Sequence, residues 1–439
     1  MGFEPTNEGF ADLAIGPLWY RADKIVKYQH SYSNRFLVER KGRFVLLRQD
    51  VRIHLMSSPK FFIQIYGCQA NKSDAERLTA MYIDNGYIEA ENWQDCDELI
   101  LVTCSVRERA EDRVRAFLLK VMSYYQEEEK KAPKVVFSGC MLHHGVERLR
   151  QMLPMIDEFM PTNKMAFAKR AVRKDKKHAF VPISTGCNSF CTYCIVPFAR
   201  GREASRSFED IMEEVQALVK EGYSEITLIG QNVNSWGLEK IGISARKMML
   251  HGDLKREDLP SNQSQYLSVK GTPPFVKLLQ AISQFETIKT IRFLSSNPWD
   301  FHDELIDEIA HNPKIDRFIH LPVQSGSNSV LHRMNRGYTR EDYLLVVKKL
   351  RQKIKDLVLG TDIIVGFPGE TDEEFEDTVK LAKEVGWHVG FVNIYSPRPG
   401  TVADKLYKDD VPYKIKKERW DILDEIINKK HLKERPKVV

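Results

Sequence analysis

Two series of alternating apolar runs and helical periods follow one another along the chain from residue 60 onward. In the first series, short β-rich runs predict strands at residues 61–66, 98–103 and 135–138, and apolar positions with a helical period predict helices at 73–84, 108–125 and 145–153. Strands that alternate with helices form parallel sheets with right-handed crossovers. The pattern therefore predicts an α/β fold that begins with a parallel βα domain.

The second series predicts a larger domain. Its strands are expected at residues 180–184, 225–228, 290–294, 317–320, 360–365 and 390–395, with amphipathic helices between them, such as 208–220 and 373–385. Six βα repeats predict a partial (β/α)6 barrel, whose active site lies at the carboxyl ends of the strands. Residues 238–272 are polar and irregular, and we interpret them as an insertion.

These patterns divide the chain into four parts. The predicted parts are an N-terminal extension at residues 1–57, a first domain at 58–165, a barrel at 173–405 and a basic helical tail at 406–439. The extension contains a short candidate strand at 44–47. Alternatively, the whole extension results from a misassigned start codon, because Met56 stands just before the first convincing strand. A basic segment, residues 164–178, links the two domains.

Composition excludes several classes of protein. With 42% hydrophobic and 29% charged residues, the chain of 439 residues is expected to be globular, and no apolar run reaches the roughly 18 residues of a membrane span. The net charge of +5, from 66 Lys and Arg against 61 Asp and Glu, permits a nucleic-acid partner. An odd count of seven cysteines, without an export signal, predicts reduced thiols in a cytoplasmic protein.

The sharpest motif is Cys187-Asn-Ser-Phe-Cys191-Thr-Tyr-Cys194, directly after the first predicted barrel strand. Structural zinc sites use four ligands, commonly in paired hooks, and no fourth Cys or His lies nearby in the sequence. Three cysteines can hold a [4Fe-4S] cube and leave one iron open for a cofactor. The spacing therefore favours a cluster over zinc or inert thiols.

Three further cysteines follow the three strands of the first series. Cys68, Cys104 and Cys140 are spaced by 36 residues, the length of one βα unit, so the carboxyl edge of a parallel sheet would bring them together. A helix is expected just after each of them, and its dipole would favour the thiolate. We predict a second cluster site here, the alternative being three buried thiols. Cys96 is expected to be an ordinary semi-buried thiol.

These motifs resemble those of the methylthiotransferase family of the radical S-adenosylmethionine (SAM) superfamily. The resemblance covers about residues 60–403 and rests on the Cys187 motif and on stretches around the other cysteines: Tyr66-Gly-Cys-Gln-Ala-Asn-Lys-Ser-Asp-Ala-Glu76, Thr103-Cys-Ser-Val-Arg-Glu-Arg-Ala-Glu111 and Ser138-Gly-Cys-Met141. Four other stretches resemble the branch that acts on isopentenylated adenosine in tRNA: Gly230-Gln-Asn-Val-Asn-Ser235, Leu321-Pro-Val-Gln-Ser-Gly-Ser-Asn328, Arg333-Met-Asn-Arg336 and Tyr395-Ser-Pro-Arg-Pro-Gly-Thr401.

The resemblance implies two [4Fe-4S] clusters and SAM as cofactors. Cys187, Cys191 and Cys194 would ligate the cluster whose open iron binds SAM and yields a 5′-deoxyadenosyl radical, while Cys68, Cys104 and Cys140 would ligate an auxiliary cluster that delivers sulfur. The implied reaction adds a methylthio group to C2 of N6-isopentenyladenosine beside the anticodon of tRNA. That carbon is an unactivated position that acid–base catalysis cannot open. The implied partners are the tRNA anticodon loop and an electron donor such as flavodoxin or ferredoxin, with the enzyme a monomer and no membrane partner.

Other residues at the predicted strand ends are candidates for SAM or substrate contacts. Gln231, Asn232, Ser295 and Gln324 could hydrogen-bond SAM, and the turn Gly366-Phe-Pro-Gly369 is expected to shape its pocket. Nine basic residues could contact RNA phosphates, with a solvated linker face as the alternative: Lys169, Arg170, Arg173, Lys174, Lys176, Lys177, Arg200, Arg202 and Arg206. The C-terminal TRAM β-barrel of the family is expected to be absent.

Two alternatives to this substrate assignment remain open from the sequence. The first is the same chemistry on threonylcarbamoyladenosine in tRNA or on an aspartate of a ribosomal protein. The second is a non-catalytic RNA-binding module that holds zinc in both cysteine trios.

Overall fold

The structure is a computed structural model that describes residues 58–105, 108–162, 165–238 and 271–429, together with the backbone of two strands at 35–40 and 43–48. The chain forms two compact units, residues 1–57 and 58–439. In the first unit, β1 (Arg35–Arg40) and β2 (Arg43–Arg48) pair as an antiparallel hairpin. The second of these strands includes the short strand predicted at 44–47.

The second unit begins with a parallel βα domain. Its elements are β3 (Lys60–Ile65), α1 (Gln69–Asp84), β4 (Ile88–Glu89), β5 (Glu98–Thr103), α2 (Glu108–Glu127), β6 (Lys134–Gly139), α3 (Val146–Met152) and β7 (Glu158–Met160). The strands pair in the order β4-β3-β5-β6-β7, and every pairing is parallel. Because β3, β5 and β6 are neighbours, their carboxyl ends lie side by side at one sheet edge.

A second α/β domain follows. Its strands are β8 (His178–Pro182), β9 (Ser184–Thr185), β10 (Ala204–Ser205), β11 (Glu225–Ile229), β12 (Thr290–Phe293), β13 (Phe318–His320), β14 (Val358–Val365) and β15 (Val389–Ile394). Its helices are α4 (Val196–Arg200), α5 (Phe208–Lys220), α6 (Pro274–Ser283), α7 (Asp303–His311), α8 (Asn328–Arg333), α9 (Arg340–Lys353), α10 (Asp372–Val385), α11 (Val402–Leu406) and α12 (Tyr413–Asp424).

Six parallel strands run through this domain in chain order. Strands β8, β11 and β12 form one parallel sheet and β13, β14 and β15 form another. A parallel bridge between Ile291 and Ile315 connects the two sheets. The arrangement confirms the predicted α/β fold, with a parallel N-terminal domain followed by a second domain of six parallel strands.

Burial of the apolar faces of the longer helices stabilises the second domain. Helix α5 begins at the cap Ser207, whose side chain accepts a hydrogen bond from the backbone of Asp210, and it buries Ile211, Val215 and Leu218 against the strands. Helices α9 and α10 begin with capping boxes. None of the helices in the described ranges is long and apolar enough to cross a bilayer.

Most predicted strands and helices are present, with bounds that differ by a few residues: α1 begins at Gln69 instead of residue 73, and β8 spans His178–Pro182 instead of 180–184. The strands Ile88–Glu89 and Glu158–Met160 were not predicted, because two or three residues at a sheet edge carry no period. The insertion predicted at 238–272 lies almost entirely outside the described residues, as do most of the extension and the last ten residues of the tail. The four domain boundaries stay predictions.

Candidate functional site

Cys68, Cys104 and Cys140 follow the adjacent strands β3, β5 and β6. A Cβ atom built on Gly67 would lie 2.7 Å from Cβ of Cys104, so the segment that carries Cys68 passes directly beside Cys104. Burial raises the pKa of the Cys140 thiol, the Arg200 guanidinium favours its thiolate, and the nearby Cys68 thiol raises the pKa further. The structure thus brings the three cysteines together, as the parallel sheet predicts.

The ends of the strands are fastened by the side chain of Asn71, on the first turn of α1. Its amide Nδ2 donates to the carbonyl oxygens of Tyr66, at 2.7 Å, and of Thr103, at 2.9 Å. Gly139 packs so closely that a Cβ there would lie 2.2 Å from the Thr103 oxygen. These contacts fix the backbone immediately before each of the three cysteines.

The helix environment of these thiols differs from the prediction. Cys68 is the N-cap of α1, as expected. α2 begins at Glu108, four residues after Cys104. Cys140 instead opens a 3-10 helix of five residues, Cys140–His144. The expectation of an α-helix dipole at each thiol is therefore wrong for Cys140, where Gly145 separates the 3-10 turn from α3.

The second trio lies in the loop between β9 and α4. Strand β9 pairs antiparallel with β10 and closes the base of this loop. Gly186, with a φ of 73°, is packed so that a Cβ would lie 2.2 Å from the oxygen of Arg202, and the Cys187 backbone N–H donates to the Gly201 oxygen at 3.2 Å. The loop is thus folded back on itself before the first cysteine.

The three thiols of this loop are close enough to repel one another as thiolates. Burial, and then the neighbouring Cys191 thiol, raise the pKa of Cys187. Burial, followed by Cys191 and Cys187, raises the pKa of Cys194. A group of buried thiols is stabilised as thiolates by a metal centre, so this donor set fits an iron–sulfur cluster. Among the described residues, no three His, Cys, Asp or Glu side chains lie close enough to share a single metal ion.

Polar side chains contact two of these sulfurs. Asn232 Nδ2 donates to Cys187 Sγ at 3.1 Å, and the Ser189 backbone N–H donates to the same sulfur at 3.3 Å. The Arg336 guanidinium donates to Cys191 Sγ at 3.2 Å. Of these three residues, only Asn232 was a predicted site residue.

The predicted SAM contacts follow the carboxyl ends of strands β11, β12 and β13. Asn232 is buried beside Cys187, Gln231 is half-buried, and Ser295 and Gln324 have positive φ angles of 65° and 74°. Phe190, in the cysteine loop, has a φ of 47°. Such conformations in non-glycine residues are strained and cluster at functional sites.

Two buried hydroxyls follow the carboxyl ends of strands β8 and β12. The buried hydroxyls of Ser184 and Ser296 have no hydrogen-bond partner in the part of the chain that the structure describes. A Cβ on Gly230 would lie 2.2 Å from the Ser184 hydroxyl, so only glycine fits there. These groups at the ends of the first barrel strands fit a polar cofactor such as SAM.

Gly366 and Gly369 occupy a different environment. A Cβ on Gly366 would lie 2.3 Å from the side chain of Lys416, on α12, and the Gly369 backbone N–H donates to Asp410 at 2.7 Å. The turn therefore packs against the C-terminal segment. Phe367, between the two glycines, belongs to a core cluster with Met334 against which Tyr193 of the cysteine loop packs.

The two trios lie on contacting elements. Helix α4, which follows Cys194, ends at Arg200, and that side chain donates to Asn71 Oδ1 and to Asp74 Oδ2, both at 2.8 Å. The same guanidinium is near enough to Cys140 to favour its thiolate. One side chain of the second domain therefore reaches the cysteines of the first.

The prediction of RNA contacts is wrong for three of the nine basic residues. The side chains of Arg173, Arg200 and Arg206 are at most 7% exposed and pair with buried carboxylates, Arg173 and Arg206 with Glu214 and Arg200 with Asp74 of the first domain. The other six are exposed: Lys169, Arg170, Lys174, Lys176, Lys177 and Arg202. Cys96 lies in the core of the first domain, and its thiol donates to the Trp93 oxygen at 3.2 Å.

Comparison with known proteins agrees with this geometry. The profile of the Radical SAM superfamily matches residues 181–382, and that of Uncharacterized protein family UPF0004 matches residues 60–161. The radical SAM methyltransferase TsrM from Kitasatospora setae has a similar fold, with a TM-score of 0.51 at 14% identity over 79% of this chain and 77% of that one. The fold and the three-cysteine loop thus define a radical SAM protein.

Relatives of higher sequence identity show to which family of radical SAM proteins the chain belongs. The tRNA-2-methylthio-N(6)-dimethylallyladenosine synthase of Thermotoga petrophila is 37% identical over 385 residues, which cover 83% of this chain and 80% of the relative. The enzyme of the same name from Clostridium botulinum is 38% identical over 402 residues, covering 84% and 81%. The chain belongs to this family of radical SAM methylthiotransferases.

Proposed function

We propose that this enzyme adds a methylthio group to C2 of N6-isopentenyladenosine beside the anticodon of tRNA. The observation that carries the proposal is the pair of cysteine trios, one in each domain, on elements that Arg200 joins. The identity of about 37% to synthases named for this modification supports the substrate. The reaction needs an external electron donor such as flavodoxin or ferredoxin, and the proposal includes a monomer in the cytoplasm.

Each trio has a separate role in the proposal. Cys187, Cys191 and Cys194 would hold the [4Fe-4S] cluster that binds SAM, and Cys68, Cys104 and Cys140 would hold the auxiliary [4Fe-4S] cluster. When bound, these groups supply the one-electron and sulfur-transfer chemistry that no side chain offers. A cube held by three cysteines keeps one iron open, which suits both tasks.

The remaining residues bind and orient. Gln231, Asn232, Ser295 and Gln324 would hold SAM, and the turn from Gly366 to Gly369 would support the pocket from the side of the C-terminal segment. Phe190, in the cysteine loop, and Phe198, on α4, are 42% and 51% exposed. Exposed aromatic rings bind unstacked bases by stacking, and an anticodon loop presents such bases.

Nucleoside mass spectrometry of a deletion strain tests the substrate. We expect methylthiolated isopentenyladenosine to disappear from bulk tRNA and to return when the wild-type chain is supplied. Persistence of that nucleoside in the deletion strain would refute the proposed substrate. Loss of the threonylcarbamoyl derivative instead would assign the enzyme to the other tRNA branch.

Anaerobic purification tests the cofactors. Two cubes of four irons predict a brown protein with about eight irons and about eight sulfides per chain. A colourless protein that contains zinc would exclude the radical mechanism and support the non-catalytic alternative.

Substitution of Gly67 by alanine is expected to empty the auxiliary site. Its φ is 131°, and the added Cβ would lie 2.6 Å from Asn71 Nδ2 and 2.7 Å from Cys104 Cβ, so the cysteines must separate. We expect about half of the iron to be lost. Gly86→Ala is the matched control, because Gly86 also has a positive φ, of 85°, but nothing lies within 4 Å of the added methyl. Equal iron content in the two variants would contradict the prediction.

A further inference from the structure

Arg336 carries a buried charge that no carboxylate neutralises within the described ranges. The residue is 8% exposed. In addition to its hydrogen bond to Cys191 Sγ, the guanidinium donates to two neutral acceptors, the Tyr338 hydroxyl at 3.1 Å and the Pro322 oxygen at 3.2 Å. An arginine stays protonated in proteins, so the charge is permanent.

Three other arginines with buried side chains each have an acidic partner. Arg77 pairs with Glu214, Arg200 with Asp74 and Arg419 with Glu370. Burying a charge without a counter-charge is costly, which explains these pairs. Arg336 differs from these three, because the atom that its guanidinium reaches in place of a carboxylate is the sulfur of a predicted cluster ligand.

Aromatic rings hold the guanidinium in this position. Its central carbon lies 4.9 Å from the centroid of Trp299 and 5.1 Å from that of Tyr338. Ring faces attract a cation but do not neutralise it. The side chain is therefore fixed in place with its charge directed at Cys191.

We infer that Arg336 is the counter-charge of the cluster held by Cys187, Cys191 and Cys194, and that it makes this cluster easier to reduce. The inference rests on the proposed function. Three thiolates make the cluster anionic, and accepting one electron adds a further negative charge. A cation within hydrogen-bonding distance of a ligand sulfur stabilises the reduced form more than the oxidised form. Arg336 thus acts through Cys191, as a positioning residue.

The test is a redox titration followed by electron paramagnetic resonance. Variants are made in a Cys104→Ala background without the auxiliary cluster, so that the signal comes from one cluster, and dithionite supplies the electron. For Arg336→Met and Arg336→Gln we expect the equilibrium constant for reduction to fall at least tenfold, which corresponds to a potential about 59 mV more negative. Arg336→Lys keeps the charge and should recover most of the potential.

Arg340→Gln is the matched control for charge. It removes one positive charge four residues away, but that guanidinium pairs with Glu384 at 2.9 Å. Its potential should equal that of the parent protein. The gain in Tm on cluster loading provides a second readout: the gain should be smaller in Arg336→Met than in the parent, because the parent's buried charge is neutralised only in the loaded protein.

The outcomes separate the two proposals. Parent-like potential and parent-like gain in Tm in both neutral variants would overturn the role of Arg336 and leave the proposed function intact. A parent protein without a cluster at Cys187, Cys191 and Cys194 would overturn both. If Arg336→Met fails to fold, the comparison of Arg336→Gln with Arg336→Lys decides the question, because both retain a hydrogen-bond donor and differ in charge.

Discussion

Replacing Cys191 with alanine is expected to halve the iron content and to abolish methylthiolation. Cys191 is buried, and its thiol raises the pKa of both Cys187 and Cys194, so it is close to both of the other proposed ligands. Two cysteines cannot hold a cube that needs at least three protein thiolates to stay bound. Iron and sulfide analysis should give about four of each per chain, and nucleoside mass spectrometry should detect no methylthio product.

Two further substitutions complete this experiment. Cys104→Ala should also halve the iron, but it should leave the cluster that binds SAM, which electron paramagnetic resonance distinguishes by its response to added SAM. Cys96→Ala is the matched control, because Cys96 is a buried cysteine that lies in an apolar core, where burial raises the pKa of its thiol to about 12. That variant should keep all of its iron. Complete loss of iron in Cys191→Ala would contradict the independence of the two sites.

The cysteines could be located from sequence because local rules determine their positions. The strand Glu98–Thr103 was predicted at its observed bounds, and a parallel sheet necessarily aligns the ends of neighbouring strands. The loop Cys187–Cys194 is contiguous, so no tertiary information was needed to group its thiols. Asn232 was also predicted as a site residue because it follows the end of a strand, and it contacts Cys187 Sγ.

The charged residues around the cysteines could not be assigned in the same way. Asn71, Asp74 and Arg77 lie in a polar stretch of α1 that is typical of a solvated helix face, but the structure buries all three. Their partners Arg200 and Glu214 are more than 120 residues away in the chain. Whether a charged side chain is buried depends on a partner that is distant in the chain, and the local hydrophobic pattern contains no information about that partner.

The same reason explains the error over the basic residues. A run of Lys and Arg is expected to form a positive surface, since unpaired charges avoid the interior. Arg173 and Arg206 instead point inward, to Glu214, and only the exposed members of the set remain candidates for RNA contacts. Arg336 was quoted in a motif, but its bond to Cys191 joins residues 145 positions apart.

Replacing Glu214 with alanine is expected to destabilise the protein by about 3 to 5 kcal/mol, because it leaves buried guanidiniums without a counter-charge. Glu214 accepts hydrogen bonds from Arg77 at 2.8 and 3.0 Å and also pairs with Arg173 and Arg206. Burial opposes its ionisation, yet these guanidiniums hold the pKa of Glu214 below its ordinary value. Urea unfolding of the anaerobic protein, followed by circular dichroism, measures the loss.

Glu213→Ala provides the comparison that isolates this effect. Glu213 is the preceding residue of α5, and its ion pair with Lys169 joins side chains that are 66% and 74% exposed. Removing it should change stability by no more than about 1 kcal/mol, because solvent screens such a pair. Alanine favours a helix at both positions, so helix propensity does not separate the variants. Similar losses in both would mean that the buried charges do not stabilise the junction between α1 and α5, whereas a loss confined to Glu214→Ala would show that they do.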